Sequence, residues 1–143
     1  MHIKDILRHK GEDVFSVGPG EDATAIARSL AQHRIGAALV RDQDGHVLGI
    51  ISERDIVRAV AREGAIALSR TARDLMTADL VTVTLATSVA ESMAIMTEHR
   101  CRHLPVMEQG RLAGMVSIGD LVKARIEEAE SEAESLRAFV TAA

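Results

Sequence analysis

The chain repeats itself, and nothing else in the sequence limits its fold as much. Gly49-Ile50-Ile51-Ser52-Glu53-Arg54-Asp55-Ile56-Val57 aligns with Gly114-Met115-Val116-Ser117-Ile118-Gly119-Asp120-Leu121-Val122 at an offset of 65 residues. Gly, Ser, Asp and Val are identical in the two copies, and the apolar pattern between them is kept. Upstream, Val17, His33, Arg34 and Val40 match Val83, His99, Arg100 and Val106 at an offset of 66. The missing residue falls where Arg41-Asp42-Gln43-Asp44-Gly45 faces Met107-Glu108-Gln109-Gly110. Both are turn sequences, in which a one-residue gap costs little. Lys4-Asp5-Ile6-Leu7 also resembles Arg73-Asp74-Leu75-Met76. A repeat that spans most of a chain implies two small structural units of one kind.

Each copy carries the same succession of patterns. A short β-prone run opens it, at 14–17 and at 80–84. Apolar residues at helical spacing follow: Ala23, Ile26, Ala27 and Leu30 in the first copy, Val89, Met93 and Met96 in the second. Ser88-Val89-Ala90-Glu91 is a capping box that fixes the second of these helices. Two apolar runs then flank a Gly-containing turn, 37–40 with 47–51 and 104–107 with 112–116. A last helix begins at Ser52 or Ser117. The order is β-α-β-β-α twice, an α/β (α+β) architecture, divided as 1–65, 66–124 and a helical extension over 125–143. One copy is too small to bury its own sheet well, so the two are expected to pack together.

The Arg102-His103-Leu104-Pro105-Val106 run, the Gly turn and the closing Gly-x-x-Ser-x-x-Asp in both copies resemble the CBS domain, here as a tandem pair over roughly residues 1–124. The resemblance implies two repeats packed with pseudo-two-fold symmetry. It also implies AMP, ADP or ATP, with NAD or S-adenosylmethionine as further options, bound in clefts between the copies. By position the motif's Asp would hold the ribose hydroxyls and its Ser would lie near the phosphate. The main cleft would then hold Ser52, Arg54 and Asp55, with Val81, Cys101, Arg102 and His103 set opposite. A second, weaker cleft would hold Ser117 and Asp120 with Phe15, Ile35 and Gly36. The first is rich in cations and the second poor, so phosphorylated ligands are expected beside Asp55. Elementary chemistry agrees. An ionised Asp accepts two charge-assisted hydroxyl bonds, and a helix N-terminus offers free N–H groups to a phosphate.

Simpler readings stand beside these. Ser-x-x-Asp before an apolar run is also a helix capping box. Arg102 and His103 could be solvated charges at a strand end. His99, Cys101 and His103 alternate, so on a strand they would share a face. The first copy has His33, Ile35 and Ala37 there, and no fourth ligand or Cys-x-x-Cys is in view, so no metal site is expected. Cys101 reads as a core or pocket-wall residue, and the Met residues at 93 and 96 as core.

Composition narrows the classes that remain. The net charge is −4 and the only aromatic residues are Phe15 and Phe139. With neither a basic stripe nor stacking platforms, nucleic acid is not expected as a partner. No run of about 18 apolar residues occurs, so no membrane span is expected. Charge in the opening Met1-His2-Ile3-Lys4-Asp5 argues against an export signal, and Cys101 is the single cysteine, so a cytoplasmic chain is expected. Neither a phosphate-binding Gly-rich loop nor a nucleophile–base pair is evident, so no catalysis and no required cofactor are expected. After Asp120, Val122, Ile126, Ala129, Ala133, Leu136 and Val140 form a heptad seam. That seam would meet a second copy in a homodimer or fold back on Ile3, Ile6 and Leu7. The reading is an adenine-nucleotide-sensing regulatory module that signals to an unidentified regulated protein. The alternative is an interaction protein with vestigial clefts that docks a partner through its long helix.

Overall fold

A computed structural model describes residues 1–142. It is a mixed α+β fold that divides into two compact units. One comprises residues 13–80. The other joins residues 1–12 to the chain from Val81 onward. The units therefore exchange their ends relative to the consecutive division at 65 and 66.

The first-repeat unit contains β1 (Ser16–Val17), α2 (Ala23–His33), β2 (Ala37–Arg41), β3 (Val47–Ser52), α3 (Glu53–Glu63), a 3-10 turn at Gly64–Ser69 and α4 (Ala72–Leu75). Its sheet runs β1-β2-β3, parallel between β1 and β2 and antiparallel between β2 and β3. Asp22 caps α2 by accepting from the Ala25 N–H at 2.8 Å. Ile26, Leu30, Val40 and Ile51 form the centre of its core.

The second-repeat unit contains α1 (Ile3–Lys10), α5 (Val89–His99), β4 (His103–Glu108), β5 (Arg111–Ser117) and α6 (Ile118–Ala142). Its core joins Ile3, Ile6 and Leu7 of α1 to Met96, Leu104, Val106, Val116 and Leu121. The strand expected over 80–84 shortens to one parallel bridge, Val83 to Val106. Val83 donates to the Pro105 carbonyl and accepts from the Met107 N–H, but Pro105 has no N–H to give Val81, so the ladder does not extend upstream.

The two N-terminal segments of the repeat do the same work. Gly49 lies against Met76 and Thr77, and Gly114 lies against Leu7. Leu7 and Met76 are the residues paired by the weak Lys4–Leu7 repeat. α1 thus covers the second hairpin as α4 covers the first.

The first turns of α6 bury Leu121 and Ala124 in the core shared with Ile3, Ile6 and Leu7. The heptad seam is a neighbouring stripe and stays exposed: Val122 at 41%, Ile126 at 54%, Leu136 and Val140 at 65% each. One residue step turns a helix by about 100°, so the core stripe and the seam face different ways.

Candidate functional site

Both hairpins deliver a Ser to the start of a helix in the same way. Ala37 pairs with Ser52 at the end of one hairpin, and His103 with Ser117 at the end of the other. The first helical N–H then donates back to the residue just before the hairpin. Glu53 donates to the Gly36 carbonyl at 2.9 Å, and Ile118 to the Arg102 carbonyl at 2.8 Å. This satisfies one of the free donors of each helix start and pins the loop beside it.

The Asp three residues after each Ser closes a capping box. The Ser52 N–H and hydroxyl both donate to Asp55 Oδ2, at 2.8 and 3.0 Å, and the Asp55 N–H donates to Ser52 Oγ at 3.3 Å. The Ser117 N–H donates to Asp120 Oδ2 at 2.8 Å, and the Asp120 N–H to Ser117 Oγ at 3.2 Å. Capping is therefore a real role of the motif. All four side chains are partly buried, so both carboxylates are fixed in direction while still open to solvent.

The two carboxylates differ in one neighbour. Lys10, the last residue of α1, donates from Nζ to Asp120 Oδ2 at 2.6 Å and to the Met115 carbonyl at 2.9 Å. Partial burial pushes the Asp120 carboxyl up, but the Lys10 ammonium and the Ser117 donors outweigh it and hold it below the usual range. Sequence alone does not reveal this pair, because 110 residues separate its members.

The remaining predicted residues divide between the units. Phe15, Ile35 and Gly36 lie in the unit of Ser52, Arg54 and Asp55. Phe15 packs on the His33 ring, with centroids 4.4 Å apart, and Ile35 packs against the core. Arg54 is exposed. Val81, Cys101, Arg102 and His103 lie in the unit of Ser117 and Asp120. Val81 and Cys101 pack against its core, and burial pushes the Cys101 thiol up, which favours the neutral form. His99 closes α5 and Arg100 is left-handed with φ 53°, so 99–102 is no strand and His99, Cys101 and His103 do not share a strand face. Arg34 turns the same way after α2, with φ 55°. A grouping the sequence did not indicate sits in the β2–β3 turn, where ligand atoms of Asp42, Asp44 and His46 lie within 4.8 Å of one another. Asp42 Oδ1 there accepts from the Asp44 and His46 N–H groups, both at 2.9 Å, an ordinary Asx turn.

Two α+β units, each ending its hairpin in a capped Ser-x-x-Asp helix, define a tandem-repeat module. Comparison with known proteins agrees: the CBS domain matches residues 3–62 and 72–127, so the chain belongs to the CBS-domain family. It is 36% identical to the mitochondrial CBS domain-containing protein CBSX3 of Arabidopsis thaliana, over 96% of this chain and 71% of that one. The crystal structure of the CBS-domain containing protein ATU1752 from Agrobacterium tumefaciens superposes with a TM-score of 0.86 at 48% identity, covering 87% of this chain and 99% of that one. The fold is also that of the CBS domain pair of protein MJ0100, solved in complex with 5′-methylthioadenosine and S-adenosyl-L-methionine. Its TM-score is 0.78 at 22% identity, covering 90% of this chain and 98% of that one. Among the described residues, no helix is long and apolar enough to cross a membrane.

Proposed function

We propose that this chain is a non-catalytic regulatory module that binds an adenosine-containing ligand, with Asp55 and Asp120 as the ribose acceptors. One observation carries the reading. Each repeat holds a half-buried carboxylate at the mouth of a helix start, oriented by Ser52 or by Ser117. A ribose diol has two hydroxyl donors at the spacing of a carboxylate's two oxygens. The adjoining helix N-terminus favours an anionic group such as a 5′-phosphate. Arg54 beside Asp55 adds an exposed guanidinium group suited to phosphate. A family neighbour of the same fold holds two adenosine-bearing molecules, which supports the ligand class. AMP, ADP and ATP lead the candidates, followed by NAD and S-adenosylmethionine.

A homodimer is part of the proposal. Val57 and Val60 on α3, and Val122 and Ile126 on α6, expose apolar side chains that a second copy would cover. The ligand would regulate a protein partner only through its different affinity for two states of the module.

Calorimetric titration with AMP, ADP, ATP, NAD and S-adenosylmethionine tests the reading. Saturable binding of at least one is expected. A folded protein that binds none of the five would set the reading aside.

A further inference from the structure

We infer that Lys10 is a specificity-determining residue: it holds the Asp120 carboxylate against a ribose diol and makes Asp55 the preferred acceptor. The inference rests on the ribose reading of the two Asp residues. Lys10 Nζ sits 2.6 Å from Asp120 Oδ2, the oxygen that also takes the Ser117 N–H. The ammonium is tied from a second side by the Met115 carbonyl at 2.9 Å, so it is held at the site and does not merely swing past it. A diol that takes both carboxylate oxygens must compete with Lys10 for Oδ2. Competing with a neutral donor is easier than displacing a charged one.

The repeat has no such residue in its other copy. The α1–α4 match places Lys4 on Arg73 and Leu7 on Met76, so Lys10 falls on Asp79. An acid there cannot pair with Asp55. Moreover, α4 ends at Leu75, whereas α1 runs on through Lys10 and so brings its last residue to β5 and α6. The asymmetry therefore comes from the length and last residue of one short helix, while both Ser-x-x-Asp ends keep the reciprocal pair of backbone-to-side-chain bonds.

The test isolates Asp120 by working in an Asp55→Asn background. Adenosine and AMP are titrated into this variant with and without Lys10→Met, and into Lys10→Met/Asp55→Asn/Asp120→Asn. Adenosine is the cleaner probe, because losing a cation does not weaken a neutral ligand electrostatically. Lys10→Met is expected to raise adenosine affinity about fivefold, the scale of a partly exposed ion pair, with a smaller rise for AMP. The rise should vanish when Asp120 is also replaced. Lys10→Arg, which keeps the charge pair, should bind as the Asp55→Asn parent does. Unchanged or weaker binding of both probes on adding Lys10→Met to Asp55→Asn, while the unaltered chain binds AMP, overturns the role of Lys10 and leaves the ribose reading intact. Failure of every variant and of the unaltered chain to bind either probe overturns both.

Discussion

Ser52 and Asp55 serve two purposes at once, and the two can be separated by what each substitution disturbs. Ser52→Ala removes the hydroxyl that accepts the Asp55 N–H, so it should cost about 1 kcal/mol in chemical denaturation. Asp120 offers a second measurement at the same scale. Its carboxyl lies below the ordinary value because of Lys10 and Ser117, against the upward push of burial. A carboxyl with a lowered folded pKa stabilises the fold above its unfolded value of about 3.9, and that contribution is lost as pH falls through the folded value. Lys10→Met should move the Asp120 titration upward when followed by carboxyl-carbon NMR. An unmoved titration would mean that the ion pair does not form in solution.

At the scale of the elements, two repeat-matched glycines separate backbone contact from side-chain contact. A Cβ at Gly49 would meet the Thr77 carbonyl oxygen and Met76 Sδ, both at 2.7 Å. One at Gly114 would meet only the methyl ends of Leu7, at 2.9 and 3.0 Å. Leu7 can shift and a carbonyl in a bridge cannot, since Thr77 is bonded to Ile50 in both directions. Gly49→Ala should therefore cost about 2 to 3 kcal/mol and Gly114→Ala markedly less, as read by denaturant midpoints. Equal losses would contradict this packing. These contacts also show what could be read beforehand. The hairpins, the capped helices and the Ser-x-x-Asp ends were legible because each is specified locally, by periodicity, a Gly turn or a cap. The placement of α1 was legible only in part: the long helix does meet Ile3, Ile6 and Leu7, one of two expectations, but through Leu121 and Ala124 and not through the heptad seam. A four-residue likeness identifies an equivalent segment but carries no information about which hairpin it covers. The strand over 80–84 is cut short by the residue opposite it, because Pro105 has no N–H to carry the ladder upstream of Val83, a pairing that no local pattern shows. The pair of Lys10 with Asp120 depends on that placement of α1, so it too lay out of reach.

At the scale of the whole molecule, α6 is one long helix whose far half is exposed. Residues 129–142 of α6 are exposed, including Leu136, Phe139 and Val140. Helices of this kind gain most of their stability from packing, and the proposed homodimer would cover the stripe. Sedimentation velocity should show a dimer, and Leu136→Glu with Val140→Glu should raise its dissociation constant about tenfold or more. A monomer at all concentrations would contradict the dimer. The nucleotide reading itself stands or falls at Asp55. Its most direct test is calorimetric titration of the unaltered chain and of Asp55→Asn with whichever of the five ligands binds most tightly. Replacing an ionised acceptor of two hydroxyls should weaken binding by about 10- to 100-fold, with only a small change in melting temperature. Full affinity in a folded Asp55→Asn protein would show that this carboxylate is a helix cap and not a ribose acceptor.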